Sequence, residues 1–200
     1  KPAAEVPPRR QRKAGSGGVS TRDRILEAAI KRFARSSYDD AGLRDIAADV
    51  GVDVAYVHRS FGSKEVLFVT ALDAASGGSQ LAVLTSGEAL PRAIAQLFSQ
   101  GAHRYSGKVH PLDIMIRSLA SPTAGTILAR KLRDELIDPI ASRVEEPRDT
   151  RAAMIVAVLL GIGIARDLLQ LPALAEDRAF SVALLEAVIE TVMQHRPDQA

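Results

Sequence analysis

From Ile25 onward, apolar residues recur at intervals of three and four along nearly the whole chain, and no segment alternates apolar with polar as a half-buried strand would. That period dictates an all-α fold, and the local punctuation agrees with it. Ser20 or Thr21 stands ready to cap a first helix carrying Ile25, Leu26, Ala29, Ile30 and Phe33, with Asp23 in its first turn and an end near Ser36. Leu43, Ile46, Ala47 and Val50 mark a short second helix, and Gly51 stands where a left-handed C-terminal residue is wanted. Asp53 caps a third helix from Val54 to about Phe61, with Val57 and Phe61 on its inner face, and Ser63 caps a fourth reaching about Ala75.

Beyond the Ser76-Gly77-Gly78 break the helical pattern resumes. Pro91 sits near the start of a helix reaching about Arg104, Pro111 starts one to Leu119, and Pro122 starts a longer one from Ala124 towards Ile137, where Pro139 should end or kink it. Arg148 to Leu171 is apolar on all sides between its charged ends, the pattern of a helix buried on both faces, in a core or between subunits. A last helix, roughly Asp177 to Gln194, carries Phe180, Leu184, Val188 and Val192 along one stripe. The expected organisation is about nine helices in two groups. A disordered basic arm covers 1–19, a first unit 20–76, a second unit 77–196, and a polar tail 197–200.

Composition narrows the function classes. The chain has no Cys and no Asn, which excludes a disulfide framework, a thiolate metal site, a cysteine nucleophile and N-glycosylation, and makes a reducing, cytoplasmic setting the expectation. The 14-residue apolar run from Ala152 to Ala165 is too short for a membrane-spanning helix, and no apolar stretch follows the basic N-terminus before Ile25, so neither membrane insertion nor export is expected. The net charge of +2 is unevenly distributed. Residues 1–66 hold 13 Lys and Arg against 9 Asp and Glu, and the remainder 13 against 15, which gives +4 and −2. A local basic excess is the footprint of a polyanion partner, because cations that neutralise phosphates release condensed counterions. A solvated charged surface would look the same.

Two short helices joined by a glycine turn, the second capped by Asp53 and exposing polar side chains, form a helix-turn-helix over residues 42–61, whose second helix can lie in a DNA major groove. The run Thr21-Arg-Asp-Arg-Ile-Leu-Glu-Ala-Ala, Phe33-Ala, Tyr38, Arg44-Asp-Ile-Ala, Gly51-Val and Phe61-Gly-Ser-Lys-Glu-Val-Leu67 resembles the DNA-binding domain of the TetR family of bacterial transcription regulators. There are departures: Ser37 stands where the family commonly has Gly, Ala41 and Gly42 at the usual caps of the second helix, and His58 at the usual tyrosine of the third. In the family that tyrosine commonly touches a phosphate, so the resemblance implies that His58 donates there instead, with a charge that varies near neutral pH.

DNA contacts follow from residue chemistry. Arg22, Arg24, Arg44 and Lys64 lie at or near helix starts, where free N–H groups also favour an anion, and should position the protein on phosphates. The third helix exposes Val54, Ala55, Tyr56, His58, Arg59 and Ser60. Arg59 suits a guanine edge, Val54 and Ala55 a thymine methyl, and Tyr56 offers ring and hydroxyl. With no Asn in the chain, specificity should lean on G·C pairs, methyl contacts and DNA shape, and the arm from Arg9 to Lys13 is placed to enter a minor groove.

One recognition helix reads few base pairs, so a homodimer on an inverted-repeat operator in double-stranded DNA is expected. The stretch Leu112 to Leu174 looks like the C-terminal half of many actinobacterial TetR-like regulators, which implies a four-helix dimer interface from the last two helices of each subunit and a cavity for an unidentified small-molecule effector. An ordinary helical core would use the same residues. Candidate cavity residues are Leu97, Phe98, His103, Tyr105, Ile114, Met115, Arg117, Met154 and Val158. The function expected is a repressor released by its ligand. The alternatives are a constitutive or architectural DNA-binding dimer without a ligand and a small-molecule carrier without operator recognition. No catalytic residue, metal site or cofactor is expected: the four histidines are scattered along the chain, none three or four residues from another, and Gly161-Ile-Gly163 is embedded in a helix rather than following a strand.

Overall fold

The computed structural model describes residues 19–76, 89–96 and 108–195, and every regular element among them is helical. Local chemistry starts and stops the first four. Ser20 Oγ accepts from Asp23 N at 3.1 Å and opens α1 (Thr21–Phe33), which ends three residues before the expected Ser36 because residues 34–36 close as a turn. Helix α2 (Leu43–Val50) starts at Gly42 without a side-chain cap and stops at Gly51, whose φ of 74° is costly for any residue with a Cβ. Asp53 accepts from Ala55 N at 2.7 Å to start α3 (Val54–Phe61), and Ser63 accepts from Val66 N at 3.1 Å to start α4 (Lys64–Ala75).

These helices pack around Phe33, which meets the Phe68 ring edge-on at 5.0 Å and stacks on Tyr38 at 6.3 Å. Their core does not stop at residue 76. Helix α6 (Pro111–Ser118) contributes Ile114, and α7 (Pro122–Leu132) contributes Ala124, Ile127 and Leu128 to the same buried cluster. A second cluster joins Leu90 and Ile94 of α5 (90–96) to Ile140, Ala141 and Val144, to Ala152, Ile155 and Val156 of α9 (Arg148–Gly163), and to Leu185 and Ile189 of α11 (Arg178–Gln194). The rest of the helix expected to run on from Pro91 to Arg104 lies outside the described residues.

Pro139 neither ends nor visibly breaks its helix. Helix α7 passes through a π turn, Arg133–Ile137, into α8 (Asp138–Ala141), and Asp138 N–H reaches back five residues to Arg133 O directly ahead of the proline ring. The wider turn accommodates the ring, which in α geometry would clash with the carbonyl four residues earlier. A second π turn, Ile164–Leu168, extends α9, and α10 (Ala173–Glu176) is a single turn. With α7 and α8 counted as one rod, the described residues hold nine rods and that turn.

In the single chain α9 is not buried on both faces. Arg151, Ala152, Ile155, Val156 and Gly163 face inward, while Ala153, Met154, Ala157 and Gly161 are exposed. In α11 the inner face is Leu185 and Ile189, so the stripe of Phe180, Leu184 and Val188 points outward, with Phe180 64% and Leu184 54% exposed. Gly163 lets α9 approach α6: a Cβ there would stand 3.1 Å from Leu112 Cδ1. The buried Arg151 guanidinium closes the C-terminus of α11, donating to Val192 O and, at 2.7 Å, to His195 O.

Candidate nucleic-acid interface

Helix α3 turns Val57 and Phe61 into the core and leaves Ala55, Tyr56, His58 and Arg59 exposed, with Val54 and Ser60 half-buried. Val54 packs against the core, so of the two residues expected to touch a thymine methyl only Ala55 is exposed. The Arg59 guanidinium lies 5.7 Å from the centroid of the Tyr56 ring. His58 Nδ1 lies 3.0 Å from Gly62 O, and a carbonyl only accepts, so the hydrogen of the neutral ring sits on Nδ1 and its outward Nε2 carries a lone pair. A phosphate at that edge requires the protonated ring, which refines the donor role expected of His58.

The flanking cations divide into two groups. Arg22 covers the Phe61 ring at 4.5 Å, tying the first turn of α1 to the end of α3. Arg24 Nη2 donates to Val50 O at 2.9 Å and so closes α2, and Lys64 lies 4.6 Å from the Tyr38 ring while donating to Asp39 O at 3.2 Å. Each keeps donors for a phosphate beyond these contacts. Arg44, in the exposed first turn of α2, has no carboxylate partner among the described residues. Burial pushes the Tyr38 hydroxyl pKa up, reinforced by Glu65 and Asp39. Arg22, Arg24, Arg44, Lys64 and α3 thus belong to one structural unit whose helix starts are those expected of an anion-binding face.

Of the nine residues expected to line an effector cavity, five lie among the described residues. Leu97, Phe98, His103 and Tyr105 lie outside the described residues. Ile114 is fully buried in the first core cluster and Met115 packs against it; Arg117 and Met154 are exposed, and Val158 packs on the second cluster. Apolar residues at helical spacing serve a core as readily as a pocket, and here α6 closes the first core.

Sequence reasoning missed the polar contacts between helices. Arg130 pairs with Glu65, and Lys131 bridges Asp73 of α4 and Glu135 of the first π turn. Burial pulls the Lys131 ammonium pKa down, but the hydrogen bonds to Asp73 and Glu135 outweigh it and hold the ammonium above its ordinary value. His110 caps α6 by accepting from Leu112 N at 3.1 Å, and its Nε2 lies 3.2 Å from Asp167 Oδ2 in the second π turn. Arg166 grips the same carboxylate at 2.6 and 2.7 Å. The only sequence signal was a histidine directly before a helix-starting proline.

Among the described residues no group of His, Asp and Glu could hold a metal ion, and no helix is long and apolar enough to cross a membrane. No curated protein matches the chain. Solved structures of similar fold include a TetR-family regulator from Streptomyces coelicolor A3, 23% identical, covering 88% of this chain and 95% of that one at a TM-score of 0.56. The multidrug binding protein EbrR, complexed with imidazole, is 21% identical over 88% of this chain and 91% of its own, at 0.63. NalD, the secondary repressor of the MexAB-OprM multidrug efflux pump in Pseudomonas aeruginosa, is 16% identical over 86% and 96%, at 0.61. Residues 25–71, spanning the helix-turn-helix, match the bacterial regulatory proteins of the tetR family, and residues 88–195 match the tetracyclin repressor-like C-terminal domain. With both halves of its length accounted for in the order of a DNA-reading unit followed by a helical C-terminal domain, the chain belongs to the TetR family of DNA-binding transcriptional regulators.

Proposed function

We propose that this regulator is a repressor that binds an inverted-repeat operator as a homodimer and leaves it when a small molecule occupies the C-terminal domain. The observation that carries this reading is the shared core. Ile114 of α6 and Ala124, Ile127 and Leu128 of α7 complete the DNA-binding cluster, and Glu65–Arg130 and Asp73–Lys131 tie α4 to α7. A ligand that shifts α6 or α7 therefore cannot leave α4 and the recognition helix where they were. Coupling of this kind is typically about 1–3 kcal/mol, a change of roughly 5- to 150-fold in operator affinity. The small-molecule complex of EbrR and the repressor role of NalD support the same reading.

The dimer forms through α9 and α11. Met154, Ala157 and Gly161 on one helix and Phe180, Leu184 and Val188 on the other give two exposed apolar stripes at helical spacing, which a solvated monomer has no use for. Met154 belongs to this face and not to a cavity. Arg22, Arg24, Arg44, Lys64 and His58 hold phosphates, and α3 enters the major groove.

Selection of bound duplexes from a random DNA pool, with affinity for the winners followed over a salt series, tests the operator claim. An enriched inverted repeat that far outcompetes bulk DNA is the expected result; equal, steeply salt-dependent binding to every sequence would establish the architectural dimer instead. Thermal melts against a metabolite library test the effector, since a ligand of the folded state raises the midpoint by mass action.

A further inference from the structure

The outward face of α3 is not uniform. At about 100° per residue, Arg59 lies roughly 180° from the midpoint between the buried Val57 and Phe61, so it projects furthest from the core of all residues on the helix. Ala55 lies about 40° to one side and Tyr56 about 60° to the other, whereas His58 and Ser60 are turned about 100° away, towards the groove walls. Among the described residues Arg59 has no carboxylate partner, in contrast to Arg32, which is bound by Asp49, and Arg130, which is bound by Glu65. Its guanidinium lies 5.7 Å from the centroid of the Tyr56 ring, one turn earlier. A guanidinium resting against a ring keeps all five donors available while losing rotamer freedom before DNA arrives. On its other side the small exposed Ala55 leaves room for the helix to sit deep in the groove.

We propose that Tyr56 and Arg59 form one guanine-reading unit, in which Arg59 donates to O6 and N7 of a single guanine in each half-site and Tyr56 is the positioning residue that sets the plane of the fork. This rests on the operator-binding reading above. The acceptor pair O6/N7 is unique to guanine in the major groove and matches the guanidinium fork. His58 and Ser60, on the flanks, set affinity and not sequence.

Selection from a random duplex pool is run with the unaltered protein, Arg59→Ala, Tyr56→Phe and Tyr56→Ala, each checked for native helicity. The unaltered protein is expected to enrich an inverted repeat with one fixed guanine per half-site. Arg59→Ala should lose the preference at that position alone, with the rest of the motif kept, and substituting that guanine should weaken the unaltered protein by roughly ten- to a hundredfold. Tyr56→Phe keeps the discrimination and Tyr56→Ala lowers it. A 7-deazaguanine probe, which lacks the N7 acceptor, weakens the unaltered protein but not Arg59→Ala, and its first arm needs no variant to fold. A motif unchanged by Arg59→Ala, or indifference of the unaltered protein to 7-deazaguanine, overturns the guanine assignment. Full discrimination in Tyr56→Ala overturns the role of Tyr56. Failure of the unaltered protein to enrich any repeat overturns the operator reading itself and this one with it.

Discussion

His110 places a titratable group at the start of α6, and the geometry fixes which way acid must act. Nδ1 accepts from Leu112 N, so the hydrogen of the neutral ring is on Nε2, facing Asp167 Oδ2 at 3.2 Å. A second proton can go only to Nδ1, where it meets the Leu112 N–H and removes the cap. Burial pushes the His110 pKa below its ordinary value, and the opposing pull of Asp167 and Asp113 does not restore it. A base with a lowered folded pKa is protonated first in the unfolded chain, so its contribution is complete above the ordinary histidine pKa of about 6.5 and is lost as pH falls through the folded value. The structure sets the size: one N-cap is worth about 1 kcal/mol, or about 2–4 °C of melting midpoint for a chain of this length. The variant His110→Asn keeps a capping oxygen and cannot titrate, whereas His110→Ala has neither property. In circular-dichroism melts at fixed protein concentration, acidification from about pH 7.5 to about pH 5.5 should lower the wild-type midpoint by about 2–4 °C more than that of His110→Asn. At the higher pH, His110→Ala should be the least stable of the three, by about 1 kcal/mol relative to wild type. An identical acid response in wild type and His110→Asn, or a wild type that gains stability on acidification, would refute the reasoning.

Three further outcomes follow from named contacts. Introducing Leu184→Glu together with Val188→Glu should halve the mass seen by light scattering while leaving the helical spectrum intact, because both side chains are exposed in the single chain; a variant that stays dimeric moves the interface elsewhere. Arg151→Met leaves the Val192 and His195 carbonyls without their charged donor, for a loss of about 2–3 kcal/mol in denaturant unfolding, and a neutral result would mean that water replaces the guanidinium. His58→Ala removes an exposed ring from the flank of α3 and should weaken the selected operator and unrelated duplexes by the same factor in competition binding at one salt concentration; a loss confined to the operator overturns the phosphate contact.

The first four helices were legible because most of what bounds them is local. Ser20, Asp53 and Ser63 each accept from a backbone N–H two or three residues on, and the φ of Gly51 is read from its own lack of a Cβ. Helix α11 shows what periodicity leaves open. It carries two apolar stripes, and nothing in its own sequence says that Leu185 and Ile189 meet α9 while Leu184 and Val188 turn away. That choice is made by Ile155 and Val156, some 30 residues earlier in the chain. Ile114 shows the same limit, since it is chosen for the first core by α1 and α4, not by its neighbours on α6. Pro139 does not end its helix because a helix can absorb a proline by changing register, which no propensity scale records.

Charge tells the two ends of the molecule apart more sharply than hydropathy does. Where the chain must hold its own parts together, its cations are spent internally: Arg151 on the end of α11, Lys131 on Asp73 and Glu135, Arg166 on Asp167. On the recognition helix Arg59 rests on a ring instead of a carboxylate, and Arg44 in α2 has no acidic partner among the described residues. An exposed guanidinium without a counter-charge adds little to folding, because an ion pair at such a site is itself worth only about 0–1 kcal/mol. The same group donates in full to an acceptor that arrives from outside. In the proposed mechanism the bridges from Glu65 and Asp73 to α7 make α4 and α7 move as one body, and the uncompensated arginines mark the face offered to DNA.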